Sequence, residues 1–179
     1  MSEGVELPEG QSEHGNNPHV FPVSITISIM AVLVAAVTLL GHRAHTEELL
    51  RQNQASDRWA QYQAKSIRLH ETQGFSDLIG TVASLDKEKG EALREKYVAE
   101  VEHYQSDKED ISKEAKDLEA ERDLSGRRAD RFDGGEALLE VGLVICSITL
   151  LTKRKAFWFT GMSIGAVGIA LASTGFLLH

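Results

Sequence analysis

The sequence predicts an all-α membrane protein: three transmembrane helices, with a long, coiled-coil-like helical hairpin between the first and second spans. Three observations lead there. Val20 to Leu40 contains no charged residue, and at about 1.5 Å per residue a helix of that length crosses a bilayer. A second uncharged stretch, Ala156 to Leu178, closes the chain. Between them, residues 42 to 135 hold 16 of the 19 Lys and Arg and 21 of the 27 Asp and Glu, so charge is confined to one central block that nets −5.

Residues 1–19 combine Gly, Pro, Asn and Glu with almost nothing to bury, and read as a disordered acidic tail. Glu3, Glu6, Glu9 and Glu13 stand there without one Lys or Arg, the reverse of a signal peptide's basic start, so residues 20–41 are expected to stay as an uncleaved first span. His14 and His19 lack further ligands at metal spacing, and no metal is expected. The soluble hairpin is expected over 42–133. Ala, Leu, Glu, Gln and Arg without Pro or Gly favour a helix from His42 to about Gln73. Gly74, Gly80 and FSDLIGTVASLD predict a break, and a second helix is expected from about Asp86 to Leu124. In it Tyr97, Tyr104, Ile111 and Leu118 recur every seven residues, while Lys108 and Arg122 interrupt the alternate column of Val101 and Ala115. That favours packing back on the first helix over a free-standing zipper. Ser125-Gly126 and Gly134-Gly135 then bracket a basic elbow of Arg127, Arg128 and Arg131. Spans two and three are expected at 134–152 and 156–178, joined by the turn Lys153-Arg154-Lys155, with Phe157, Trp158 and Phe159 at the interface. The single cysteine, Cys146, reads as a small buried side chain.

Asn53 to Ile67, NQASDRWAQYQAKSI, and Arg131 to Glu140, RFDGGEALLE, followed by LVICSITLLTKRKAFWF, resemble an uncharacterised family of small bacterial membrane proteins known only as a domain of unknown function. The resemblance implies a multi-pass protein of the bacterial inner (plasma) membrane and transfers no catalytic residue.

Asn53, Asp57, Trp59, Tyr62 and Lys65, with Tyr97 and Tyr104 across the hairpin, are the expected partner or hairpin contacts, because recognition surfaces combine aromatics with adaptable polar groups. Trp59 and Tyr62 are expected to face Tyr97, Val101 and Tyr104. Asp57 and Lys65 are eight residues apart, about 12 Å along a helix, too far to share a proton. Glu136 and Glu140 are expected at the membrane edge, within reach of arginine partners. Ser24, Ser28, Ala31, Ala35 and Thr38 in the first span, and Gly161, Gly165, Gly168, Ala172 and Gly175 in the third, recur at 4, 3, 4, 3 spacing. The two seams are expected to pack together, within one protomer or between protomers, bringing His42 near His179.

No enzymatic, cofactor or nucleotide signature occurs, and mild acidity argues against nucleic acid. The expected function is a non-enzymatic, membrane-tethered hairpin for partner docking or scaffolding, with the lipid bilayer and a protein partner or homo-oligomer as its contacts. The alternative is an oligomeric ion or proton conductor using Glu140. Eight basic residues near the spans on the central block, against three at 153–155, place that block in the cytoplasm.

Overall fold

A computed structural model of the chain describes residues 20–82 and 87–178. The expected acidic tail, with His14 and His19, and the C-terminal His179 lie outside the described residues. Among the described residues three helices occur in order: α1 (Val20–Val82), α2 (Lys87–Thr152) and α3 (Lys155–Thr174), followed by a 3-10 turn, Gly175–Leu177. All three helices are long and apolar enough to cross a membrane.

The expected break at Gly74 and Gly80 does not occur, because α1 runs through both to Val82. Nor does the helix end at 125–126 or 134–135, which lie inside α2. A helical glycine costs only about 1 kcal/mol relative to Ala, and the good helix formers on either side outweigh it. Proline would stop a helix, but no proline follows Pro22. The seven-residue column of Tyr97, Tyr104, Ile111 and Leu118 also continues in step through Ser125, Phe132, Leu139 and Cys146, all four buried, so α2 keeps one phase through the predicted elbow.

The chain divides into two compact units, one made of residues up to Thr38 with Asp133–Ser173, the other of Leu39–Phe132 with residues from Thr174 onward. In the first unit, residues 133–152 of α2 extend about 30 Å, enough for a full span. Here α3 buries Gly161, Gly165, Gly168 and Ala172. Facing it, α2 buries Gly135, Leu139, Gly142 and Cys146 at the same 4, 3, 4 spacing. The two runs are antiparallel: a methyl added at Gly168 would come 2.8 Å from the Gly135 carbonyl oxygen, and one at Gly142 would come 2.8 Å from that of Gly161. From α1, Val23, Met30 and Val37 are buried at seven-residue intervals, and the Met30 Cε lies against both Gly142 and Gly165.

This arrangement corrects the expected pairing of seams. The glycine seam of α3 packs within this chain on α2, whereas Ser24, Ser28, Ala31 and Ala35 of α1 are exposed. The physical reason is that α2 supplies glycines of its own. Backbones approach most closely where both faces lack side chains, and Gly135 is a packing residue instead of an elbow. At the end of α2, Lys153 takes a left-handed conformation, φ 53°, and its N–H donates to the Thr149 carbonyl at 2.8 Å. It fills the helix-ending position that glycine usually holds.

In the second unit α1 and α2 pack antiparallel over Ala44, Ala55, Leu69, Ala115, Ala129 and Phe132, with Thr72 and Ser125 also buried. Small core residues let the helices approach closely: a Cβ on Gly126 would stand 3.0 Å from the Glu48 carboxylate. The C-terminal segment is fastened here. Phe176 packs edge-on to Phe132 at 5.3 Å, and Arg128 donates to the Leu178 carbonyl through Nε at 3.1 Å and Nη2 at 2.8 Å.

Candidate functional site

Two groups of polar residues stand out, one in each unit. In the hairpin, α1 presents Arg51, Arg58 and Lys65 at seven-residue intervals, and α2 presents Glu121, Glu114 and Asp107 at the same interval in reverse. They pair as Arg51–Glu121 at 3.1 Å, Arg58–Glu114 at 3.0 Å and Lys65–Asp107 at 2.5 Å. Seven residues is close to two helical turns, so each series lies on one face of its helix. Exposed pairs of this kind contribute about 0–1 kcal/mol each. Their main effect is on register, since only one antiparallel alignment joins all three pairs.

Lys65–Asp107 is the most shielded of these pairs, with side chains 29% and 28% exposed. The hydrogen bond from Lys65 holds the Asp107 carboxyl below the usual aspartate range, against the opposing effect of desolvation, and His103 nearby lowers it further. The Lys65 ammonium also lies 5.1 Å from the centre of the Tyr104 ring, and Lys108 stands at the same distance from Tyr62. Trp59 Nε1 donates to Glu119 at 2.9 Å, and its ring meets Tyr62 edge-on at 5.4 Å. Phe75 stacks on Tyr97 at 6.2 Å.

Of the residues singled out from sequence, Trp59, Tyr62, Lys65, Tyr97 and Tyr104 are therefore half-buried between the two helices, while Asn53 and Asp57 are exposed. The expected facing of Trp59 and Tyr62 on Tyr97, Val101 and Tyr104 is corrected. Because α1 continues past Gly74 to Val82, the chain reverses later, and each α1 residue meets a residue farther along α2. Trp59 thus meets Glu119, and Phe75 takes the place opposite Tyr97. The charge ladder is absent from the expected contacts, although its signal, basic residues at 51, 58 and 65, is plain in the sequence.

The second group lies among the apolar segments. Glu136 accepts a hydrogen bond from Thr38 Oγ1 at 2.6 Å. One turn on, Glu140 is exposed and lines a shallow groove with Ala31, Val34, Leu143 and Val144. Gly142, two residues further, meets Met30, the midpoint of the uncharged run 20–40. Glu140 therefore stands about 3 Å along the helix axis from that midpoint. That level is inward of the apolar edge expected for Glu140, whereas Glu136, bonded to Thr38 near the end of the same run, keeps an edge position; the cause is again the unbroken α2, which runs on past the supposed elbow. Elsewhere in this unit the Cys146 thiol lies 3.9 Å from Met30 Sδ, and Trp158 Nε1 donates to Thr26 Oγ1 at 3.3 Å.

A family model described as a domain of unknown function, DUF4337, matches residues 21–178. The chain belongs to this family. No curated protein and no solved structure matches it. The match runs through α1, α2 and α3 alike, so hairpin and apolar segments are parts of one family unit.

Proposed function

We propose that this chain is a non-enzymatic integral membrane protein of the bacterial inner membrane, whose helical hairpin on the cytoplasmic side docks or organises a protein partner. The observation that carries this reading is an uncovered apolar face on α1. Ile67 and Leu78 are 60% and 59% exposed and lie on one side of the helix. The neighbouring side, with Leu69 and Thr72, is the one buried on α2. A hairpin needs only one apolar stripe per helix to hold itself together, and a second stripe marks a surface for something else. Trp59 and Lys65 support the hairpin from within, and Asn53 and Asp57 offer polar groups at its surface.

The test is gentle detergent extraction of the full chain, with identification of co-purifying proteins for the wild type and for Ile67→Ser with Leu78→Ser. A specific protein captured by the wild type and lost from the double variant supports docking. An identical set of proteins for both removes its basis.

The position of Glu140 favours a second reading, an oligomeric proton or cation conductor. An ionisable side chain facing outward at mid-span is expensive in hydrocarbon and marks ion or proton passage more often than chance. Glu140→Gln should abolish ion flux into liposomes under this reading and leave docking unchanged.

A further inference from the structure

Glu140 stands two residues before Gly142, which meets Met30 at the midpoint of the uncharged run, a level at which a bilayer around that run would accommodate a carboxylate least easily, and among the described residues nothing donates a hydrogen bond to it. The titratable group nearest along α2 is Glu136, already engaged by Thr38. At the level of Glu140, α1 brings Ala31 and Val34 and α3 brings Gly165, none of which carries charge. Bare lipid offers no donor there either.

The surface beside Glu140 differs from the rest of the α1 exterior. Ala31 lines the groove with the carboxylate, and Ala35, Ser28 and Ser24 continue the same face of α1, all exposed; Ser28 Oγ is turned back onto the Ser24 carbonyl at 3.0 Å. The remaining exposed face of α1 carries Ile25, Ile29 and Val32, at 44%, 56% and 69% exposure, the bulky side chains that suit lipid. Small residues beside this carboxyl group permit another helix to come near it.

We propose that a second copy of this chain packs on this face, so that the two Glu140 side chains meet and share a proton across a two-fold axis along the membrane normal. Such an axis preserves depth, so the group that a second copy presents at the level of Glu140 is its own Glu140. Two carboxyl groups holding one proton are complementary: the protonated one donates to the other, and the pair carries one charge instead of two. An unrelated protein would need its own donor at this depth. The assembly is independent of the hairpin's docking role, and it supplies the oligomer that conduction through Glu140 requires.

Cross-linking tests it, using the full chain in native membranes with Cys146→Ser as background. Ala31→Cys and Ala35→Cys should form disulfide-linked dimers with copper phenanthroline in at least ~10-fold higher yield than Ile29→Cys on the bulky exposed face of α1. Adding Glu140→Leu should lower that yield at least ~3-fold, whereas Glu140→Gln, whose amides can still pair, should keep it. Equal yields at positions 29 and 35, or a yield unmoved by Glu140→Leu, overturn the interface. Equal loss with Gln and Leu overturns the shared hydrogen bond. Partner capture by the hairpin is unaffected by any of these outcomes, so failure of this inference and failure of docking are distinguishable.

Discussion

Gly168 of α3 and Gly135 of α2 touch backbone to backbone: a methyl on Gly168 would come 2.8 Å from the Gly135 carbonyl oxygen and 3.0 Å from Leu138 Cβ. Contact this close is available only to residues without a side chain, and in lipid it replaces the hydrophobic drive that soluble helices use.

Gly168→Ala should therefore destabilise the packed helices by about 1–3 kcal/mol, the usual cost of forcing atoms into a filled site. Gly80→Ala is the control, since nothing lies within 4 Å of the added methyl. It should stabilise α1 by up to about 1 kcal/mol through helix propensity alone. Thermal unfolding in detergent, followed by circular dichroism, should move in opposite directions for the two variants.

The hairpin register has its own check. Cysteines at Phe75 and Tyr97, in a Cys146→Ser background, should be joined within one chain by a short bifunctional reagent, because the native rings lie 6.2 Å apart. Cysteines at Trp59 and Val101, the alignment expected if α1 ended at Gly74, should not be joined. Linkage of the second pair but not the first would mean that the chain reverses one to two turns earlier.

Asp107 gives the hairpin a defined response to acid. Its carboxyl is lowered from the ordinary value chiefly by the Lys65 hydrogen bond, so the folded state favours the ionised form. A depressed carboxylate contributes stability that is complete above the unfolded value, about 3.9, and is lost as pH falls through the lower folded value. The Lys65–Asp107 pair should thus hold at pH 5 and fail in the acid range below about pH 4. The Asp107 side-chain carbonyl carbon, followed by NMR, should titrate below a model aspartate in the wild type and move toward it in Lys65→Met.

What can be read from the sequence follows physical lines. Val20 to Leu40 and Ala156 to Leu178 announce themselves because a soluble helix seldom goes that long without a charged residue on its solvent face. The α3 glycines are visible because 4, 3, 4 spacing survives in one dimension. The α2 glycines mislead because a Gly-Gly pair signals a turn as readily as a packed face, and only the partner helix decides between them. The same ambiguity misplaces Glu140, since its depth depends on α2 continuing in phase through Gly135. Asn53 and Asp57 stand close to Trp59 in sequence, yet neighbouring helical positions point in different directions, and the two face solvent while the indole turns inward.

The proposed orientation rests on the distribution of basic residues. Arg43, Arg51, Arg58, Lys116, Arg122, Arg127, Arg128 and Arg131 lie near the apolar segments on the hairpin side, against Lys153, Arg154 and Lys155 at the opposite turn. Basic residues are retained on the cytoplasmic side during insertion, so the larger group should decide. Several of the eight are engaged with carboxylates in the folded hairpin, as Arg51 and Arg58 are. The rule acts during insertion, however, before α1 and α2 pair, and acidic residues weigh little in it. Ser106 is exposed on α2 and Cys146 is buried, so a cysteine placed at Ser106 with Cys146→Ser reports one location cleanly. In intact cells Ser106→Cys should resist a membrane-impermeant maleimide, and it should label fully once the membrane is opened. Full labelling before permeabilisation would place the hairpin outside, with the turn at residues 153–154 in the cytoplasm.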